Sequence, residues 1–236
     1  MIDTTYRTGD AELMDDFSME GEHLHDALDK IATINHLLGG NKITVEGVKI
    51  LLKNIDASRT ISIVDLGCGN GDMLRVLANF ARKQNLKFNL IGIDANAYTI
   101  NVARKMSAEF SNIDYLSEDI FSPEFDVMQY DIALCTLTLH HFHEEELLNL
   151  LGTLNKNAAI GIVINDLQRS AIAYRLFQFV SFVFRLKRMP KEDGLTSILR
   201  GFKKNELINF SEKLNLTNYK ICWKWAFRYQ WIISKT

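Results

Sequence analysis

The chain has 236 residues, 47% of them hydrophobic and 24% charged, which is enough apolar material for one sizeable domain with an added helical piece. Lysine and arginine number 27 against 29 acidic residues, a formal charge of −2 that lacks the strongly basic footprint of a nucleic-acid binder. Cys68, Cys135 and Cys222 stand far apart without metal-ligand spacing, so no metal site is predicted, and free buried thiols fit a reducing cytoplasm.

Residues 1–6 lack the basic and then apolar regions of a secretory signal, and a cytoplasmic location is the expectation. Residues 10–56 read as helices. Ala27, Leu28, Ile31, Ile34, Leu37 and Leu38 recur at three- and four-residue steps and form one apolar stripe. Gly39, Gly40 and Asn41 break that helix, and Thr44 is placed to cap the next one, which carries Val45, Val48, Leu51 and Leu52. No strand signal occurs in this front segment, so residues 1–58 are expected to form a helical cap.

From residue 61 the texture changes. Residues 61–64 form a short, mostly β-branched run with Ile61, Ile63 and Val64, a glycine turn follows, and residues 72–83 are helical in period. Strands are predicted at 88–93, 113–116, 131–136 and 158–164, with helices near 97–110 and 143–154 between them. Residues 167–202 interrupt the alternation with a helical, aromatic-rich stretch. A helix near 204–214 and two strands near 217–225 and 228–234 close the chain, the strands as an antiparallel hairpin. Strands alternating with helices imply a Rossmann-like α/β core over residues 59–236, with a parallel sheet covered on both faces and residues 167–202 inserted as a lid. Right-handed crossovers bring every strand's carboxyl end to one edge, where open α/β sheets bind ligands. Asp65, Asp94, Asp119, Thr136 and Asp166 therefore converge there.

Gly67, Gly69 and Gly71 follow the first strand and allow a tight turn whose backbone approaches a ligand closely. Dinucleotide enzymes use a similar turn with an acid on the next strand to hold the ribose, and Asp94, followed by Ala95, stands in that role. Three details favour S-adenosylmethionine over a dinucleotide. Asp65 directly precedes the turn, and its spacing is Gly-x-Gly-x-Gly across Cys68 and Asn70. Glu118, Asp119 and Ile120 follow the third strand, where a carboxylate can meet the adenine amino group and Ile120 can pack on the ring. No second nucleotide-binding half follows the fourth strand, only residues 135–142, beginning with Cys135 and Thr136.

With these motifs the chain resembles the class I S-adenosylmethionine-dependent methyltransferases. The resemblance implies a seven-stranded, mostly parallel sheet with the last strand antiparallel. It also implies a cofactor site of Asp65, Gly67, Cys68, Gly69, Gly71, Asp94, Ala95, Asp119, Ile120, Cys135 and Thr136, with S-adenosylhomocysteine as product. A narrower likeness rests on Arg7, residues 12–16, residues 34–40, residues 139–142 and residues 165–170. These are similar to segments of bacterial methyltransferases encoded beside type III polyketide synthases, which are associated with O-methylation of phenolic polyketide lipids. Residues 34–40 also resemble a cofactor-covering segment of the ubiquinone and menaquinone methyltransferases.

Methyl transfer needs an acceptor lone pair in line with the methyl group and, for a phenol, a base. His140 and His141 follow the fourth strand, and histidine is the side chain most often used as a general base, so either is a candidate. Asp166 ends the fifth strand and can orient a histidine or hold the acceptor, while Arg169, one turn along, can pair with it. Residues 171–184 are apolar nearly all round but too short to span a bilayer, and Arg185, Lys187, Arg188 and Lys191 follow. Such a lid, with Phe177, Phe179, Phe182, Val183 and Phe184 expected to roof the pocket, suits a hydrophobic acceptor and a peripheral contact with a membrane. O-methylation of a hydrophobic phenolic or polyketide-type molecule is the leading expectation. The alternatives are C-methylation of a quinone precursor or other small metabolite, and an inactive cofactor-binding partner protein. Oligomeric state is not legible.

Overall fold

The protein is described here by a computed structural model covering residues 2–235. Two helices open it, α1 (Glu22–Leu37) and α2 (Gly40–Leu51). They are separated where Gly39 takes a left-handed conformation with φ of 76°, a geometry that costs glycine little. Thr44 lies inside α2 rather than capping it, and its hydroxyl is buried 3.1 Å from that of Thr136.

The alternating core then runs β1 (Thr60–Leu66), α3 (Asp72–Gln84), β2 (Lys87–Asp94), α4 (Ala97–Met106), β3 (Ile113–Ser117), α5 (Pro123–Asp126), β4 (Tyr130–Thr136), α6 (Glu144–Asn157) and β5 (Ala158–Leu167). The inserted segment forms α7 (Ala171–Val183) and α8 (Arg188–Arg200), and α9 (Lys204–Lys213), β6 (Tyr219–Lys224) and β7 (Arg228–Ser234) complete the chain. α4 ends earlier than its apolar pattern predicted, because Phe110 reaches the core through a turn closed by its own N–H on the Ser107 carbonyl. The single-turn α5 escaped periodicity, although Ser122 and Pro123 give it a side-chain cap and a favourable first residue.

The seven strands lie in the order β3-β2-β1-β4-β5-β7-β6, and β7 alone runs against its neighbours. This is the sheet expected from the sequence. One face is packed by Val48, Leu51, Ile63, Leu74, Leu77, Leu90 and Val163. The other is packed by Val64, Ile93, Ala133, Leu147, Leu151, Ile162 and Trp231. β4 is buried at every residue before Thr136, as a central strand covered on both faces must be. α2 lies against β5 and β7, whereas α1 and the residues before it meet α8 of the lid. The front segment thus serves both as a sheet-covering helix and as one wall of a cleft.

Candidate active site

β1 delivers Asp65 and β2 delivers Asp94 to one edge, in register through the parallel pairing of Leu66 with Ile93. Between them the turn holds Gly67, Gly69 and Gly71 at φ of 64°, 52° and 76°. At Gly71 the need is also steric, since a Cβ would stand 2.0 Å from the Tyr115 hydroxyl. The turn is tied down at both ends: Cys68 N–H donates to the Ile93 carbonyl at 3.1 Å, and Gly69 N–H donates to Asp94 Oδ2 at 3.0 Å. Asp94 Oδ1 accepts from Asn96 N–H, so the carboxylate of Asp94 is oriented from both sides while staying half-buried. α1 closes over this loop, with Asp29 accepting a hydrogen bond from Asn70 and Leu28 lying over Gly69.

Asp65 is buried, its Oδ1 has no partner, and burial, with Asp94 and Asp72 nearby, pushes its carboxyl up to about 8. A cationic group beside it would relieve that cost, and an oriented carboxylate at Asp94 suits a vicinal diol. Both features fit S-adenosylmethionine, whose amino group is cationic and whose ribose carries two hydroxyls. Asp119 is exposed at the end of β3, where its Oδ1 accepts from Phe121 N–H, and Ile120 is half-buried beside it.

Two expected cofactor residues are placed differently. Cys135 packs into the core on the far face of β4, fully buried among Val64, Leu151 and Ile162, so its thiol does not reach the edge. Strand alternation accounts for this, because the side chain after an edge-facing position points to the opposite face. Cys68 is also a core side chain, sandwiched against Gly92, and only its backbone belongs to the turn.

Past the carboxyl ends of β4 and β5, where Leu137 and Leu167 meet it, lies a cavity of about 320 Å³ lined by α1, α7, α8 and the β6–β7 turn. Its wall is apolar, formed by Ile31, Ile34, Leu176, Phe177, Val180 and Ile198 among others, and His140, His141 and Glu12 meet it. His140 is buried. Its Nδ1 lies 2.7 Å from Asp166 Oδ1, and its backbone N–H donates to Asp166 Oδ2 at 3.2 Å. Burial opposes ionisation of Asp166, but His140 and the Leu167 N–H outweigh it, and the carboxyl is held below the ordinary range. A proton on Nδ1 satisfies an ionised Asp166, and in the neutral imidazole that tautomer carries its lone pair on Nε2.

His141 is directed instead to Asp15, with Nδ1 2.7 Å from Oδ1, and remains partly exposed. Burial opposes ionisation of Asp15 as well, yet hydrogen bonds from His141 and Arg200 bring it well below the usual carboxylate range. Arg7 and Arg200 converge on the backbone of this turn: Arg7 donates to the His140 and Phe142 carbonyls, and Arg200 to the His140 and His141 carbonyls. Glu12 Oε1 makes no hydrogen bond but lies 3.6 Å from Arg200 Nη1 and 3.7 Å from His140 Nε2, and burial pushes the carboxyl up to about 7. Glu12, His140 and His141 present ligand atoms within 4.8 Å of one another, a grouping able to hold a divalent cation that no spacing in the sequence displayed.

The expected pairing of Asp166 with Arg169 does not form. Arg169 turns away to Glu206, at 2.6 Å, and to the carbonyls of Thr4, Thr5 and Gly201, where it ties the chain's start to α9. It does not line the cavity. The lid also differs from expectation. Phe177 lines the cavity with Leu176 and Val180, whereas Phe179, Phe182, Val183 and Phe184 face outward. A helix has two sides, and an all-round apolar sequence does not say which one turns inward.

The parallel sheet with a reversed last strand and a glycine turn after β1 defines a Rossmann-like, class I methyltransferase architecture. Residues 63–161 match the family described as "Methyltransferase domain". The chain is 24% identical over 181 residues, 72% of its length and 74% of the relative's, to a carboxy-S-adenosyl-L-methionine synthase of Campylobacter jejuni. It is 28% identical over 181 residues, 73% of its length and 67% of the relative's, to a protein-lysine N-methyltransferase of Saccharomyces cerevisiae. Among solved structures, the plantazolicin methyltransferase BpumL, in complex with a substrate analogue and S-adenosylhomocysteine, superposes with a TM-score of 0.64 at 19% identity, covering 91% of this chain and 90% of that one. The chain carries an S-adenosylmethionine-dependent methyltransferase domain.

Proposed function

We propose that the protein methylates an oxygen of a hydrophobic phenolic or polyketide-type small molecule, with His140 as the base. The observation that carries this reading is the buried Asp166–His140 pair, whose 2.7 Å contact to Nδ1 favours the neutral tautomer with its lone pair on Nε2, at the wall of an apolar cavity. S-adenosylmethionine, when bound, supplies an electrophilic methyl group. The chain's own residues do the rest. The apolar wall binds the acceptor's body and excludes water, Asp166 fixes the ring and tautomer of His140, and Nε2 takes the phenolic proton. His141, held by Asp15, shapes the wall beside it, and Arg169 has no part in the chemistry.

The relatives bear names that point to different acceptors, so the acceptor is read from the cavity. A largely apolar wall with one proton-accepting corner favours a lipophilic phenol over a small charged metabolite. Association with a type III polyketide synthase product is part of the same proposal. So is a peripheral membrane contact, because α7 exposes Phe179 at 65% and Phe182 at 80% beside the basic residues Arg185 and Arg188.

Turnover of S-adenosylmethionine with a series of alkylphenols tests the reading. His140→Ala should lower kcat by about 10²–10⁴ while S-adenosylhomocysteine affinity stays unchanged. His141→Ala should lose far less. Activity should survive exhaustive chelation. A rate abolished by chelation and restored by a divalent cation would assign Glu12, His140 and His141 to a metal and end the base reading.

A further inference from the structure

Arg228 opens β7, where its backbone is fixed between Leu167 of β5 and Lys224 of β6. It is only 4% exposed and lines the apolar cavity, yet Nε and Nη1 have no hydrogen-bond partner. Burial lowers its proton affinity to about 10, with Asp166 acting the other way, so the guanidinium is charged near neutrality. Asp166 itself is engaged by His140 and the Leu167 N–H, and makes no ion pair with Arg228. A buried charge without a partner is among the most destabilising features a fold can carry, costing several kcal/mol in practice.

The surroundings make room for it. Gly40 opens α2 with its bare Cα against Arg228, and a Cβ there would lie 3.2 Å from Cζ and 1.8 Å from Asn35 Oδ1. Asn35, which lines the same cavity, also keeps Oδ1 unpartnered. The guanidinium is therefore a donor looking for an acceptor inside an apolar pocket. The other titratable groups on the wall are Glu12, Asp193, His140 and His141, so among the described residues Arg228 is its one permanent cation. One cation among acids suits a monoanion, and the planar donor set of arginine suits a carboxylate. Its place on β7, beyond β5, is remote from the glycine turn that follows β1.

We propose that Arg228 receives a carboxylate carried by the hydrophobic acceptor, so that the substrate is an apolar hydroxy acid held at both ends of Asp166. The hydroxyl would meet His140 and the carboxylate would meet Arg228. This rests on the acceptor cavity proposed above, and Arg228 is assigned here as a specificity-determining residue.

Calorimetry on the full chain saturated with S-adenosylhomocysteine tests it, using 4-alkylbenzoic acids and the matching 4-alkylbenzamides as unreactive probes. In the wild type the acid should bind about tenfold or more tightly than the amide, the yield of a charge-assisted hydrogen bond. Arg228→Gln should abolish that preference, Arg228→Lys should restore part of it, and Arg228→Met should melt no lower than wild type. Equal binding of acid and amide to the wild type would overturn the inference without any variant. An unchanged preference in Arg228→Gln would do so too, as would a loss of S-adenosylhomocysteine affinity there, which would give the guanidinium to the cofactor's carboxylate. A preference for the acid that is independent of alkyl length would leave Arg228 in place and defeat the hydrophobic-acceptor reading instead. No binding of either probe would defeat both.

Discussion

Asp65 ends β1 with a carboxyl that the fold raises from 3.8 to about 8, by burial first and then by Asp94 and Asp72. At acid pH both folded and unfolded chains hold this proton, so there is no penalty. As pH rises past the unfolded value, the unfolded chain releases its proton while the folded chain retains it, and stability falls until the folded value is reached. Each pKa unit is worth about 1.4 kcal/mol, and each kcal/mol moves Tm by about 2–4 °C in a chain of this size. In the ligand-free protein, Asp65→Asn should therefore gain on the wild type by about 10 °C or more as pH rises from acid toward 8. A Tm difference that does not change with pH would show that Asp65 ionises freely. Residues of this kind were legible in sequence, because Asp65 directly precedes a glycine turn and Asp94 closes the next apolar strand, so local pattern alone marks both. Arg228, Glu12 and Asp15 were not legible as site residues, since each earns its role from a neighbour brought by distant chain. Arg169 pairs elsewhere than expected for the same reason, its partner Glu206 lying in α9, beyond both α7 and α8.

At the scale of elements, the parallel core followed from periodicity because strands buried on both faces announce themselves by continuous apolar runs. α7 did not. Its sequence is apolar on all sides, so only packing against α8 reveals that Phe177 turns inward, where it lies against Gly194 and the cavity. The two sides of α7 should consequently behave differently in turnover of a homologous alkylphenol series. Each methylene hidden in the cavity gains about 0.8 kcal/mol, so kcat/KM should climb with chain length until the cavity is full. Phe177→Ala should alter that dependence, whereas Phe182→Ala should leave it intact, because Phe182 is 80% exposed. Chain-length profiles shifted equally by both changes would mean that α7 moves as a unit and that its outward side is not separate from the pocket.

At the scale of the molecule, many of the exposed apolar side chains lie on α7 and the β6–β7 hairpin, elements whose other residues line the cavity. Ile172, Phe179, Phe182, Val183 and Phe184 of the lid are joined by Trp223 and Trp225 of the β6–β7 hairpin, and Trp225 also lines the cavity. No helix among the described residues is long and apolar enough to cross a membrane. The peripheral contact proposed above would set this apolar surface, with Arg175, Arg185, Arg188 and Lys191 close by in sequence, against an anionic bilayer. Lysine or arginine near such a surface contributes about 1 kcal/mol each and is screened by salt, while aromatic insertion is not. Sedimentation with vesicles should show binding to phosphatidylserine-containing bilayers that exceeds binding to neutral ones and weakens as salt is raised. Phe179→Ser with Phe182→Ser should abolish it without changing turnover of a short, water-soluble phenol, since neither side chain lines the cavity. Vesicle binding that is absent in the wild type, or undiminished in the double variant, would leave the outward side of α7 without a lipid partner.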